Sequence, residues 1–171
     1  MPLSVRRLLA PLAAIATVAA LWWWLFPSEA RQVRRASHGL AELISVPANE
    51  PDLARAARAS RLGERLSNDL VVGMAERPDL SASKEQVLTY VARFFTSPGG
   101  ITVTLDQLDV EVEDPGLRAR VRAVATAREP DLRGGPELVE ARDVVLELAK
   151  VERTWLLVRA TLGAPTSANG G

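Results

Sequence analysis

The stretch Ile101–Arg128, ITVTLDQLDVEVEDPGLRARVRAVATAR, decides how this chain folds. Upstream of it, apolar residues recur every three or four positions, the spacing of one helix face. Inside it they recur every second position, as in a strand with one side buried. Ile101, Val103 and Leu105 share one face, and Leu108, Val110 and Val112 continue on the opposite parity. A parity switch turns a strand inside out unless one residue is inserted, so a β-bulge is expected near Asp106-Gln107. Asp114-Pro115-Gly116 then reads as a turn. Leu117, Ala119, Val121, Ala123, Ala125 and Ala127 occupy one face of the next strand, and Arg118, Arg120, Arg122 and Arg128 the other.

Downstream, a loop over 129–136 leads to a strand at 137–151, and Glu152-Arg153 joins it to a last strand, Thr154–Leu162. The tail 163–171 is small and polar and is expected to be disordered. Upstream, residues 28–46 read as a helix with Val33, Ala36, Leu40, Leu43 and Ile44 on one face, ending before Pro47. A second helix is expected over 50–66, with Leu53, Ala56, Ala57, Ser60 and Leu66 inward. Leu70-Val71-Val72 reads as a short strand and Arg77-Pro78-Asp79 as a turn. Ser83, with Gln86 three residues on, forms a capping box for a third helix presenting Val87, Tyr90, Val91, Phe94 and Phe95. The sum is an α+β domain over 28–162: three N-terminal helices packed on a curved antiparallel sheet.

Residues Leu8–Phe26 carry no charge. Nineteen residues in a helix span roughly 28 Å, close to the hydrocarbon thickness of a bilayer. Arg6 and Arg7 close one end, and Trp22, Trp23 and Trp24 sit where an interfacial aromatic belt belongs. We expect residues 1–7 to be a short tail and 8–27 a single membrane anchor. A cleaved signal peptide is the alternative, since Ser28-Glu29-Ala30 loosely fits a cleavage site, but the aromatic end suits it poorly. Basic residues flank the span on both sides. The short basic N-terminus favours a cytoplasmic tail with the domain on the extracytoplasmic side of the cell membrane.

The chain has 171 residues, with 21 basic and 21 acidic side chains. That balance argues against a nucleic-acid partner, which calls for a clustered basic excess. There is no cysteine and one histidine, His38. Disulfides, thiolate chemistry and histidine-rich metal sites are excluded within one chain, and no cofactor or metal is expected. Alanine and arginine outweigh isoleucine and lysine, as in GC-rich bacterial coding.

The order of elements, the helix Lys84-Glu85-Gln86-Val87-Leu88-Thr89-Tyr90-Val91, and the closing run Lys150-Val151-Glu152-Arg153-Thr154-Trp155-Leu156-Leu157 resemble the nuclear transport factor 2-like superfamily. That group includes SnoaL-like cyclases and ketosteroid isomerases. The resemblance covers about residues 30–162. It implies a cone with a pocket between sheet and helices, and it spans enzymes, binding modules and assembly domains, so it does not select a function. Membrane-anchored members, among type IV secretion cores and Mce-associated proteins, are similar in plan to this chain.

Enzymes of the superfamily use a carboxylate base in the pocket, sometimes with a His or Tyr partner, and such a group works only when desolvated and within reach of substrate. The candidates here are Asp69, Asp106 if the bulge turns it inward, and Tyr90. Each also fits a plain role as turn residue, solvated bulge acid or core tyrosine. Phe94, Phe95, Ala123 and Trp155 are expected to line or fill the pocket. Glu140 and Arg142 share a face with Val144 and Leu146 and could reach its mouth. The arginine row on one face of the strand after Asp114-Pro115-Gly116, Arg118, Arg120, Arg122 and Arg128, is expected to be neutralised by Glu137, Glu140, Asp143 and Glu147 of the neighbouring strand. The reading that follows is a membrane-tethered, non-enzymatic domain for protein association or small apolar ligand binding, with homodimerisation through the sheet face. A SnoaL-like isomerase, cyclase or hydrolase is the alternative.

Overall fold

The computed structural model describes residues 28–95, 99–131 and 135–166. In chain order these form α1 (Glu29–Ile44), α2 (Asp52–Arg65), β1 (Leu66–Met74), β2 (Arg77–Ser83), α3 (Lys84–Phe94), β3 (Thr102–Glu113), the single turn α4 (Asp114–Leu117), β4 (Arg118–Glu129), β5 (Leu138–Val151) and β6 (Thr154–Thr166). All six strands join one sheet in the order β2-β1-β6-β5-β4-β3. The helices cover its inner face, and the core between them runs from Val33 and Leu40 of α1 to Val121, Leu148 and Trp155 of the sheet. Among the described residues no helix is long and apolar enough to cross a membrane. The expected anchor at 8–27, and the tail beyond Thr166, lie outside the described residues.

The bulge falls where the parity switch requires it. Asp106 pairs with Val124 and Asp109 with Arg122, so two residues of β3 face one of β4. Gln107 takes a left-handed φ of 54°. Leu105 and Leu108 therefore both reach the inner face, while Asp109, Glu111 and Glu113 stay outside opposite Arg122, Arg120 and Arg118. The inner face of β4 is buried at Ala119, Val121 and Ala123. The α1 stripe also stands: Val33 and Leu40 are buried, and Ser37 is fully buried with its hydroxyl donating to the Val33 carbonyl at 3.0 Å.

Four expectations need correction. Arg77–Ser83 is a strand rather than a turn, because its backbone pairs with Val71–Met74 of β1 despite a polar sequence with no alternation. The sheet is not wholly antiparallel: β1 runs parallel to β6, with Val72 opposite Ala160. In α2 the inward face lies on the other side of the helix. Leu53 is 84% exposed and Leu62 only 1%. Alanines at 54, 56, 57 and 59 look alike from both sides, and the single large anchor Leu62 sets the rotation. In α3, Tyr90 is 54% exposed. Val87, Leu88 and Val91 pack on the core instead. Beyond these, β6 continues past the expected end at Leu162, pairing Pro165 with Arg142.

Two polar devices hold α1 in place. After it ends, Val46 and Ile101 exchange backbone hydrogen bonds of 2.7 and 2.9 Å, and the Ser45 hydroxyl accepts from the Val103 amide at 2.8 Å. This seam ties the C-terminal end of α1 to the edge of β3. Gly100 makes it possible, with φ at 72° and a would-be Cβ only 2.5 Å from the Val46 carbonyl oxygen. On the other side, Arg58 of α2 binds the Glu50 carboxylate at 2.7 Å and the Glu42 carbonyl of α1 at 2.9 Å. The Arg58 contact holds the Glu50 carboxyl below its ordinary value of 4.5.

Gly100→Ala should lose about 2–4 kcal/mol, the sum of a left-handed alanine and a backbone clash, read as a lowered urea midpoint. For Glu50 the folded pKa is the depressed one, so its contribution is present above about pH 4.5 and fades as pH falls through the folded value. Glu50→Gln should cost about 1 kcal/mol at neutral pH, and the gap to the native chain should close in acid. A gap that stays constant with pH would show that the carboxylate charge is not what the clasp uses.

Candidate functional site

Between the sheet and the helices α1 and α3 the packing is incomplete. A cavity of about 230 Å³ remains between them. Its walls are Leu40, Ala41 and Ile44 of α1, Val87 and Val91 of α3, and Leu105, Ala125, Leu146 and Ala160 of the sheet, among others. Every lining residue is aliphatic or alanine. The room comes from side-chain size: Ala125 faces inward between Leu105 of β3 and Arg142 of β5, where a larger residue would fill the space.

The cavity shares Ile44, Val91, Val103 and Leu162 with an outer chamber of about 440 Å³. This chamber is the mouth. Its rim adds Ala127, Leu138, Arg128, Glu129 and Glu140, so polar groups appear only at the entrance. Arg128 lies 3.6 Å from Glu137, the residue just before β5, and Arg142 donates to Glu140 and, at 3.4 Å, to the Gly163 carbonyl. Glu140 thus reaches the mouth, as its strand parity predicts.

The three candidate catalytic residues are not brought together, and none lines the cavity. Asp69 lies in β1 and is exposed, at a shallow cleft on the outer sheet face beside Val71 and Arg159. Asp106 precedes the bulge, so it points to the outer face opposite Val124 and accepts from the Thr104 hydroxyl at 3.3 Å. Tyr90 is on the solvent side of α3. Of the expected pocket residues, Ala123 is buried in the core and Phe95 is 3% exposed, and neither lines the cavity. The Phe94 side chain lies outside the described residues. Trp155 is buried at the opposite end of α1, where Lys150 stands 5.8 Å from its ring and bridges to Glu29 at 2.7 Å.

The outer sheet face is a ladder of ion pairs. Arg120 approaches Glu147 at 3.3 Å and Glu113 at 3.8 Å, Arg122 meets Asp109 at 3.5 Å, and Arg159 meets Glu147 at 3.7 Å. Glu137 and Glu147 act as expected. Asp109 and Glu113 of β3 take the parts assigned in sequence to Glu140 and Asp143. Among the described residues no group of three or more metal-ligating side chains could hold an ion.

Sequence reading found the small-residue face and Glu140 but missed the cavity's actual walls on α3, β1 and β6. Those walls are ordinary Val, Leu and Ala positions, which carry no signal that separates a lined void from a filled core.

No protein-family model and no curated protein sequence matches the chain. Solved structures do resemble it. A nuclear transport factor 2-like protein with a cystatin-like fold from Novosphingobium aromaticivorans is 16% identical, with 91% of each chain covered and a TM-score of 0.61. A protein provisionally assigned as a scytalone dehydratase from the same organism is 18% identical, covering 80% of this chain and 83% of its own, at 0.59. The association domain of the calcium/calmodulin-dependent kinase II of C. elegans is 12% identical, covering 78% and 94%, at 0.58. At such identities the likeness establishes the fold, shared by proteins named for enzymatic and for assembly roles.

Proposed function

We propose that this chain is a membrane-tethered, non-catalytic domain that holds a small apolar ligand in the pocket between its sheet and helices. The observation that carries this reading is the lining: a void walled wholly by aliphatic side chains, opening through a rim that bears Arg128, Glu129 and Glu140. Such a site stabilises apolar matter by burial and fixes its entry with a few polar groups. Its inner walls offer no group to move a proton or attack a bond, and this weighs against the isomerase, cyclase or hydrolase alternative.

Residues 8–27 supply the tether, with the domain outside the cytoplasmic membrane. α1 starts two residues after that segment and has 16 residues, so its ends stand about 24 Å apart. Ile44, its last residue, is at the mouth. On this reading the pocket opens away from the bilayer, and ligand is exchanged with the compartment or with a partner there.

Association of copies through the outer sheet face is the second reading. Val71 is 41% exposed there, and Val124, Val145 and Leu156 are half-buried on the same side. The assembly role in the name of the C. elegans relative points the same way.

Replacing Ala125 and Ala160 together by Leu should fill the cavity without lowering the melting temperature. Native mass spectrometry of the full chain released from micelles with added decanol should show a one-to-one adduct that falls about tenfold in the double variant. Equal adducts in both proteins would remove the pocket from the function. For the tether, the chain should stay in the membrane pellet through alkaline carbonate extraction, and deletion of 8–26 should release it. Protease added to spheroplasts should digest the domain. Release of the intact chain by carbonate would end the anchor reading.

A further inference from the structure

A second concavity, of about 530 Å³, lies between α1, α2 and the β5–β6 turn, on a different side of α1 from the apolar cavity. Four arginines line it from three elements: Arg35, Arg61, Arg65 and Arg153. Two acids, Glu42 and Glu64, share the lining and leave it with an excess of two positive charges. On the outer sheet face arginines stand within 4 Å of carboxylates, but here no ion pair forms among the described residues. Arg61 turns its Nε–H back to the Ala57 carbonyl of its own helix at 3.3 Å.

Trp155 forms part of the same wall. It is 4% exposed, and its indole Nε1–H has no acceptor. Buried donors are nearly always paired, because water's hydrogen bond has been given up. Arg153 is held at φ 72° and Glu152 at φ 46° in the two-residue turn closed by the Val151–Thr154 pair. Both conformations favour Asn or Gly, so the turn accepts backbone strain to place an arginine at the groove.

We propose that this groove binds a phosphate group. Guanidinium forks match phosphate oxygens in geometry and charge, and four of them without carboxylate partners line this one concavity. The source is either a lipid headgroup or a free phosphate. Gln32 and Arg35 lie within the first two turns of α1, next to the segment read as the anchor, which brings the groove to headgroup depth if that reading is right. The inference is independent of the apolar pocket and of any ligand in it.

The test uses the full chain in phosphatidylcholine nanodiscs and follows the Trp155 indole proton by NMR, assigned by its loss in Trp155→Phe. Inorganic phosphate should shift it saturably, with no such shift from sodium chloride at equal ionic strength. Arg65→Gln and Arg153→Gly should each weaken the response about fivefold or more. Arg153→Gly should do so with a melting temperature no lower than the native one, since glycine suits that φ. A shift produced by adding phosphatidylglycerol to the discs, without free phosphate, would assign the lipid source. A response to soluble phosphate alone would assign the free one. No saturable shift in either arm, or variants that titrate like the native chain, would overturn the proposal.

Discussion

The inserted residue at Gln107 is the constraint on which the other contacts depend. A strand shows each face to every second residue, so β3 without an insertion would turn Leu108, Val110 and Val112 to solvent. Asp109, Glu111 and Glu113 would then face the core, and burying three carboxylates there without partners is far costlier than the one left-handed residue that prevents it. With the bulge in place the inner face is continuous from Leu105 to Val112. The outer carboxylates also fall opposite the arginines of β4, so one backbone irregularity serves the core and the ion ladder together.

A bulge bends the strand that carries it, and a bent sheet cannot meet a straight helix along its whole length. α1 is therefore in close contact at Val33, Ser37 and Leu40 and drawn against β3 by the seam at Ser45, Val46 and Gly100. The leftover volume lies against Ala125 of β4 and Ala160 of β6. The apolar cavity is the geometric remainder of packing α1 and α3 over a curved sheet. Its chemistry follows from that origin: a remainder of core has core-type walls, and polar groups enter only where the strands run out at Arg128, Glu129 and Glu140.

The two concavities divide the fold by chemistry. At one end of α1 the walls are aliphatic and can reward only the removal of apolar surface from water. On another side of α1, arginines of α1, α2 and the β5–β6 turn line one groove together with Trp155. The two linings take different sides of α1, Gln32, Arg35, Gly39 and Glu42 on one and Leu40, Ala41 and Ile44 on the other, so the helix stands between them. The two sites therefore read as a binding chamber and a positioning contact rather than two halves of one ligand site.

Alternation, helical spacing and turn residues are local properties, and they determined what local physics can determine. The α+β class, the bulge near Asp106-Gln107, the capping box of α3, the inward stripe of α1 and the small-residue face of β4 were all legible before any coordinates. The apolar run at 8–26, read as a tether, belongs to the same kind of evidence. Tertiary structure alone decided the rest. Whether Arg77–Ser83 becomes a strand depends on an edge of β1 being free to pair with it, and no residue within the segment records that. The rotation of α2 was decided by what Leu62 could reach, because alanine has nearly the same cost on either side of a helix. Asp69, Asp106 and Tyr90 are the residue types that catalysis uses, but a residue type does not specify a direction. Which way each points is settled by how β1 and β3 pair and by which side of α3 packs on the core, and these place all three outside the cavity.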